Sequence, residues 1–261
     1  MSQANTGQVT MTTDGRIAVI MVDNQAKRNS YTPGMMDQLS AHLTAFDEDD
    51  DLWVAVFCSA GEHTTAGLDM PKFFGPDATW NGPPDGQVDP FGLGRRTGKP
   101  VIAVVQGITY TVGIEMALAA DIVVAADTAR FAQIESKRGI APMGGAHFRY
   151  LARTGWGNAM YHLLLCDEFD AQEALRVGFV QEVVPYGQHM DRALELARAV
   201  CANAPLALRA TKEAARTYLD AAEQAAIAEI PLLRDKLLAS KDFTEGVLSF
   251  MERRQANFQG M

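Results

Sequence analysis

A single carboxylate, Glu115, sits within the apolar segment Gly113 to Ala120, flanked by Ile114, Met116, Ala117 and Leu118. Burying a charge on such a segment is costly unless chemistry requires it. Just upstream, Val101 to Val105 is a short apolar run suited to a buried strand, and Gly107 breaks it before the helix-forming segment begins. A helix that starts after a strand leaves unpaired backbone N–H groups, with the positive end of the dipole behind them. Those groups can hold a carbonyl oxygen as it gains negative charge. Strand, electrophilic helix start and nearby carboxylate together indicate a catalytic site.

The elements that must position this site follow from pattern and punctuation. Ile17 to Val22 reads as a buried strand ending in a turn at Asp23 and Asn24. Thr32 before Pro33 is a helix start with cap and first position in the preferred order, and Met35, Leu39, Leu43 and Phe46 then recur at helical spacing. The five acids Asp47 to Asp51 read as a solvated turn. Trp53 to Cys58 is the next strand. From Gly75 to Gly98 the chain carries six Gly and four Pro in 24 residues, a composition for a long loop, either a lid over an apolar pocket or a surface excursion. Ile122 to Ala125, Phe131 to Ile134 and Phe179 to Val184 are further strands, and Asp170 with Glu173 opens a short helix that Gly178 ends. From about Gly187 the chain is almost wholly helical, punctuated by Pro205 and Pro231. Strands alternating with helices, then helices alone, imply an α/β core with a C-terminal helical appendage.

At 261 residues, 48% hydrophobic and 21% charged, the composition is that of a soluble globular chain. No apolar run approaches the roughly 20 residues that span a bilayer, and MSQANTGQVT lacks the charged and apolar regions of a signal peptide, so a cytoplasmic protein is expected. A net charge of -9 argues against a nucleic-acid surface. Cys58, Cys166 and Cys201 read as reduced core residues, and the five histidines show no ligand spacing, so no metal site is expected.

Four segments then fall in one order: Asn24 to Ser30 (NQAKRNS), Thr64 to Met70 (TTAGLDM), the Gly113–Glu115 stretch, and Phe131 to Gly145 (FAQIESKRGIAPMGG). With the ending SKDFTEGVLSFMERRQANF, this series resembles the enoyl-CoA hydratase/isomerase family, the crotonases, from about Arg16 to Phe258. The resemblance implies a spiral of ββα units over residues 1–200 and a C-terminal helical trimerisation region over 201–261, in a homotrimer or dimer of trimers. It implies an acyl-CoA substrate, with no cofactor beyond the coenzyme A that carries it. By motif, Ala66 and Val112 would be the backbone donors of an oxyanion hole, and Glu115 and Glu135 the two carboxylates flanking a water. Lys27 and Arg28, with Arg253 and Arg254, match the family's basic contacts to coenzyme A.

The central stretch departs from the family. Thr111, Val112 and Gly113 stand where many members carry three glycines, and Thr109 and Tyr110 are bulkier or more polar than usual. Thr64, Leu68, Tyr110 and Thr111 are expected to line a reshaped acyl pocket. Possession of both carboxylates favours hydration of a 2-enoyl-CoA. The alternatives are a 3,2-enoyl-CoA isomerase using Glu135 alone and a non-catalytic acyl-CoA-binding subunit.

Overall fold

The computed structural model describes residues 7–76, 78 and 80–260. In chain order its strands are β1 (Gln8–Asp14), β2 (Ile17–Asp23), β3 (Val54–Ser59), β4 (Val101–Val105), β5 (Ile108–Tyr110), β6 (Ile122–Ala126), β7 (Arg130–Ala132), β8 (Phe169–Asp170) and β9 (Glu182–Val184). The helices are α1 (Pro33–Glu48), α2 (Met70–Phe74), α3 (Val112–Ala119), α4 (Ala146–Leu165), α5 (Ala171–Arg176), α6 (His189–Cys201), α7 (Pro205–Leu238) and α8 (Lys241–Met251).

Six strands form one sheet in the order β1-β2-β3-β4-β6-β9, and β5-β7-β8 form a second. Only the β1–β2 hairpin is antiparallel in the larger sheet; β2 through β9 run parallel, with Ile17 opposite Val54, Ala55 opposite Val101 and Ile102 opposite Ile122. Parallel strands need cover on both faces. One face of β3 and β4, through Val54, Val56, Ile102 and Val104, packs on Ala193 and Ala197 of α6. The opposite face, through Ala55 and Ala103, joins Met35, Leu39 and Phe46 of α1 and Ile114 and Met116 of α3. The carboxyl ends of the parallel strands therefore share one edge, where open α/β sheets gather their ligand loops.

The cap expected at Thr32 is present, its side chain accepting from Met35 N at 3.3 Å. Asp170 caps α5 through Glu173 N at 2.9 Å. The last strand is shorter than its apolar run. Phe179 and Val180 both donate their amides to Ala174 O, so the end of α5 draws them into its cap and leaves only Glu182–Val184 to pair with β6. Pro231 lies inside α7 without ending it.

The described residues of the Gly75–Gly98 segment are tethered to α1 and its end. Trp80 Nε1 donates to Asp37 at 2.9 Å, Ser40 Oγ to Val88 O at 2.6 Å, and Arg95 pairs with Asp47 and Glu48. No helix among the described residues is long and apolar enough to cross a membrane.

Candidate active site

The site begins where two backbone segments run side by side. Thr65 N donates to Ile108 O at 2.9 Å and Tyr110 N to Thr65 O at 3.1 Å, so residues 64–68 extend the edge of β5. Gly113 permits this approach, because a Cβ there would lie 2.5 Å from Thr65 Cγ2. Thr64 is buried, its hydroxyl closing a ring with the Gln106 backbone at 2.7 and 3.0 Å.

One of the two expected amides is not free. Ala66 N donates to Arg28 O at 2.9 Å, which commits the first of the two donors read from the motif. Two residues on, Tyr31 N takes Gly67 O and Asp69 N takes Tyr31 O, so this bridge skips the Leu68 amide. Among the described residues Leu68 N has no hydrogen-bond partner, and neither does Val112 N at the first position of α3. Leu68, expected as pocket lining, thus presents the unpaired N–H that Ala66 does not.

Thr111, which caps α3, has φ 50° and ψ −113°. That region is sparsely populated for any residue with a Cβ and least suits a β-branched one. The conformation survives because the surroundings fix it: Thr111 N donates to Ala132 O at 3.1 Å, and Thr111 O accepts from Ile114 N and Glu115 N. The family's glycine at this position would carry no such strain.

Glu115 is 2% exposed. Its Oε1 accepts from Gly144 N at 2.7 Å and Ala146 N at 3.3 Å, the latter at the start of α4. A Cβ on Gly144 would strike both the Glu115 carboxylate and the Phe91 ring, so Gly144 lies against both. Burial pushes the Glu115 carboxyl up, while the two amides and the Arg149 guanidinium hold it down. Glu135 opens the 3₁₀ turn Glu135–Arg138 and is 9% exposed. Its Oε1 accepts from Gln133 Nε2 at 2.7 Å, and its Oε2 is buried without a partner. Burial raises this carboxyl too, and the charge of Glu115 raises it further. The charge of Glu115 thus reaches Glu135. Gln133 Oε1 and Tyr150 Oη are also buried and unpartnered, and both carboxylates help raise the Tyr150 hydroxyl after burial. Orphaned buried polar atoms are rare in folded proteins, and three of them fall on Gln133, Glu135 and Tyr150.

Helix α8 holds the Glu135 turn from behind. A Cβ on Gly139 would meet the Asp242 carbonyl at 2.5 Å, and Arg138 lies over the Phe250 ring at 5.0 Å.

The basic residues are divided between two places. Lys27 pairs with Asp69 at 3.0 Å, and Arg28, at φ 50°, turns the loop whose carbonyl meets Ala66; both therefore border the Leu68 segment. Arg254, beyond the end of α8, pairs with Glu245 and Glu252, and its neighbour Arg253 is exposed at φ 54°. Tyr110 turns its hydroxyl onto Glu168, which also pairs with Arg130 at 3.3 Å. Gln133, Arg149 and Tyr150 escaped the reading from sequence as candidate site residues; the one signal for the first was its place two residues before Glu135.

A family model described as enoyl-CoA hydratase/isomerase matches residues 12–261. The chain belongs to that family. It is 32% identical over 254 residues to the enoyl-CoA hydratase EchA19 of Mycobacterium tuberculosis, covering 94% of each chain. It is likewise 32% identical to the 2,3-dehydroadipyl-CoA hydratase of Escherichia coli, over 94% of this chain and 96% of that protein. Among solved structures, a carnitinyl-CoA hydratase from Mycobacterium avium superposes with a TM-score of 0.89 at 30% identity, covering 97% and 98%. A probable enoyl-CoA hydratase/isomerase from Mycobacterium abscessus gives 0.79 at 40% identity, over 97% and 99%. The mixed α/β architecture with its parallel sheet and C-terminal helices is thus the crotonase fold.

Proposed function

We propose that the chain hydrates a 2-enoyl-CoA thioester. The observation that carries this reading is a pair of buried carboxylates, Glu115 and Glu135, the charge of the first bearing on the second, together with the unpaired amides of Leu68 and Val112 on adjoining segments. The hydratases and dehydratases among its relatives support the same reaction class.

The environments divide the work. Glu115 has two amide donors and a nearby guanidinium, so of the two acids it better keeps a negative charge. Glu135, with one side-chain donor and a second carboxylate facing it, better keeps a proton. Two acids pushed apart in this way take the roles of base and acid. Glu115 accepts a proton from water as the oxygen attacks the β-carbon, and the electron pair moves through the α-carbon to the thioester oxygen. The Leu68 and Val112 amides hold that oxygen as it becomes an enolate. Glu135 then gives its proton to the α-carbon, and proton exchange restores both groups. Lys27 and Arg28 meet the coenzyme A phosphates at the rim, with Arg253 and Arg254 as the second basic contact.

The test is loss of the conjugated thioester absorbance with 2-enoyl-CoA substrates of increasing length, with a 3-hydroxyacyl-CoA product by mass. No loss at any length, with turnover of a 3-enoyl-CoA, would replace hydration with isomerisation.

The C-terminal region is proposed to complete a homotrimer or a dimer of trimers. Helix α7 runs 34 residues without one buried side chain, and Tyr218, Leu164 and Trp156 on α7 and α4 are 87%, 75% and 68% exposed. Apolar exposure on this scale marks an interaction surface. Light scattering on the purified 28.3 kDa chain is expected to give three or six times the monomer mass; a monomer would overturn the assignment.

A further inference from the structure

A cavity of about 50 Å³ lies on the flank of α3, between Leu39 of α1 and Met116, Ala119 and Ala120. It has room for a carboxylate or a few waters. Its walls are apolar, yet four charged side chains line it: Asp89, Arg96, Arg149 and Arg216. Three of these are satisfied within the chain. The Asp89 carboxylate accepts the amides of Phe91, Leu93 and Gly94. Arg96 pairs with Asp220 and Glu223 and donates to Gly92 O. Arg149 donates to the carbonyls of Phe91, Gly92 and Gly144.

Arg216 differs. It is half-buried, its Nε is buried with no hydrogen-bond partner, and among the described residues it forms no ion pair. Its charge disfavours the charged forms of both Arg149 and Lys212. Unpartnered guanidinium groups in such a place are costly, and their fork geometry matches a carboxylate.

The cavity is aligned with the reaction site. Met116 follows Val112 at four-residue spacing on one stripe of α3, and Ala120, four residues further, caps the helix. Helix rise puts them about 6 and 12 Å beyond the Val112 amide. Residues Pro90 and Gly92 of the cavity wall flank Phe91, whose ring packs against Gly144 beside Glu115. At about 1.2 Å per bond of extended chain, that span corresponds to roughly five to ten bonds.

We propose that this cavity, through Arg216, receives the terminal carboxylate of an α,ω-dicarboxylic acyl-CoA, whose chain lies past Phe91 along the line from Val112 through Met116 to Ala120. The inference rests on the acyl-CoA reading of the site and names its substrate class: acyl groups of about six to ten carbons ending in an anion.

Titration calorimetry with saturated thioesters separates binding from turnover, because these ligands have no double bond to hydrate. The pairs are adipyl- and hexanoyl-CoA, suberyl- and octanoyl-CoA, and sebacyl- and decanoyl-CoA. For at least one pair the ω-carboxylate is expected to bind roughly 10- to 100-fold tighter, the range for a hydrogen bond to a charged group. Arg216→Gln is expected to bring that ratio to about one, and Arg216→Lys to keep part of it. Equal affinities at every length overturn the proposal while leaving the acyl-CoA reading in place. Binding of none of the six overturns both. A preserved ratio in Arg216→Gln, accompanied by loss of the assembled mass, assigns Arg216 to a subunit contact instead and overturns its role here.

Discussion

Glu115→Gln is expected to lower kcat/KM for hydration by roughly 10²- to 10⁴-fold, the contribution of a positioned acid or base. Glutamine keeps the shape and accepts the Gly144 and Ala146 amides through its carbonyl oxygen, so a folding defect is not the expected cause. It cannot take a proton from water. The pH dependence distinguishes this from a simple loss of fit. With Glu115 as carboxylate and Glu135 as acid, the wild-type kcat/KM profile has an acid limb from the first and an alkaline limb from the second, both set by groups that burial raises above the ordinary carboxylate range. Glu115→Gln removes the acid limb from the residual activity, and Glu135→Gln removes the alkaline one. Stability shifts in the opposite sense. A carboxyl whose folded-state pKa is raised contributes stability below its unfolded pKa and loses it as pH rises through the folded value. Glu135→Gln, which cannot ionise, is therefore expected to flatten the fall in stability above the ordinary carboxylate range while abolishing most activity. A Glu115→Gln enzyme that hydrates at the wild-type rate, or that keeps its acid limb, would remove Glu115 from the reaction.

Of this site, Glu115 was legible in the chain because a lone carboxylate in an apolar run contradicts its surroundings. Glu135 was not legible on residue type alone: it heads a polar turn, and that turn is backed by α8, an element far along the chain. The free amides show a sharper limit. The motif TTAGLDM places a turn correctly, but which amide in it stays free depends on the carbonyls of Arg28 and Tyr31, contributed by a loop some forty residues earlier. The strand pattern behaved similarly. β4 matched its apolar run residue for residue, because it is buried on both faces. β1 had no such run: QVTMTTD is a half-exposed edge strand with Val9 as its one buried side chain, so it lacked the apolar signal that marks a parallel strand. β5, three residues after a glycine, owes its pairing to Phe131 and its neighbours rather than to its own composition. The strain at Thr111 was visible only as an unusual residue type; its positive φ is imposed by Ala132 and the start of α3. Arg216 gave no signal at all, since an arginine on an amphipathic helix reads as solvated until its missing partner is seen.

Gly113→Ala is expected to reduce kcat/KM by about 100- to 1000-fold, the effect of displacing one oxyanion donor. In an exposed helix the same change would gain about 1 kcal/mol from helix propensity. Here the new methyl would lie 2.5 Å from Thr65 Cγ2, and Thr65 cannot swing away, because its hydroxyl donates to Asn29 O at 2.7 Å and accepts Gly67 N at 3.0 Å. Either α3 retreats, carrying the Val112 amide with it, or the 64–68 segment does, carrying Leu68. Both movements separate the two free N–H groups that the proposed enolate needs at one oxygen. Overpacking of this kind typically costs about 1–3 kcal/mol, enough to outweigh the propensity gain, so Tm should fall together with activity. Thermal denaturation and steady-state hydration of the same preparation test the two effects together. A variant with raised Tm and unchanged kcat/KM would mean that the start of α3 yields without disturbing the reaction, and that the enolate oxygen is held by groups other than the Val112 and Leu68 amides.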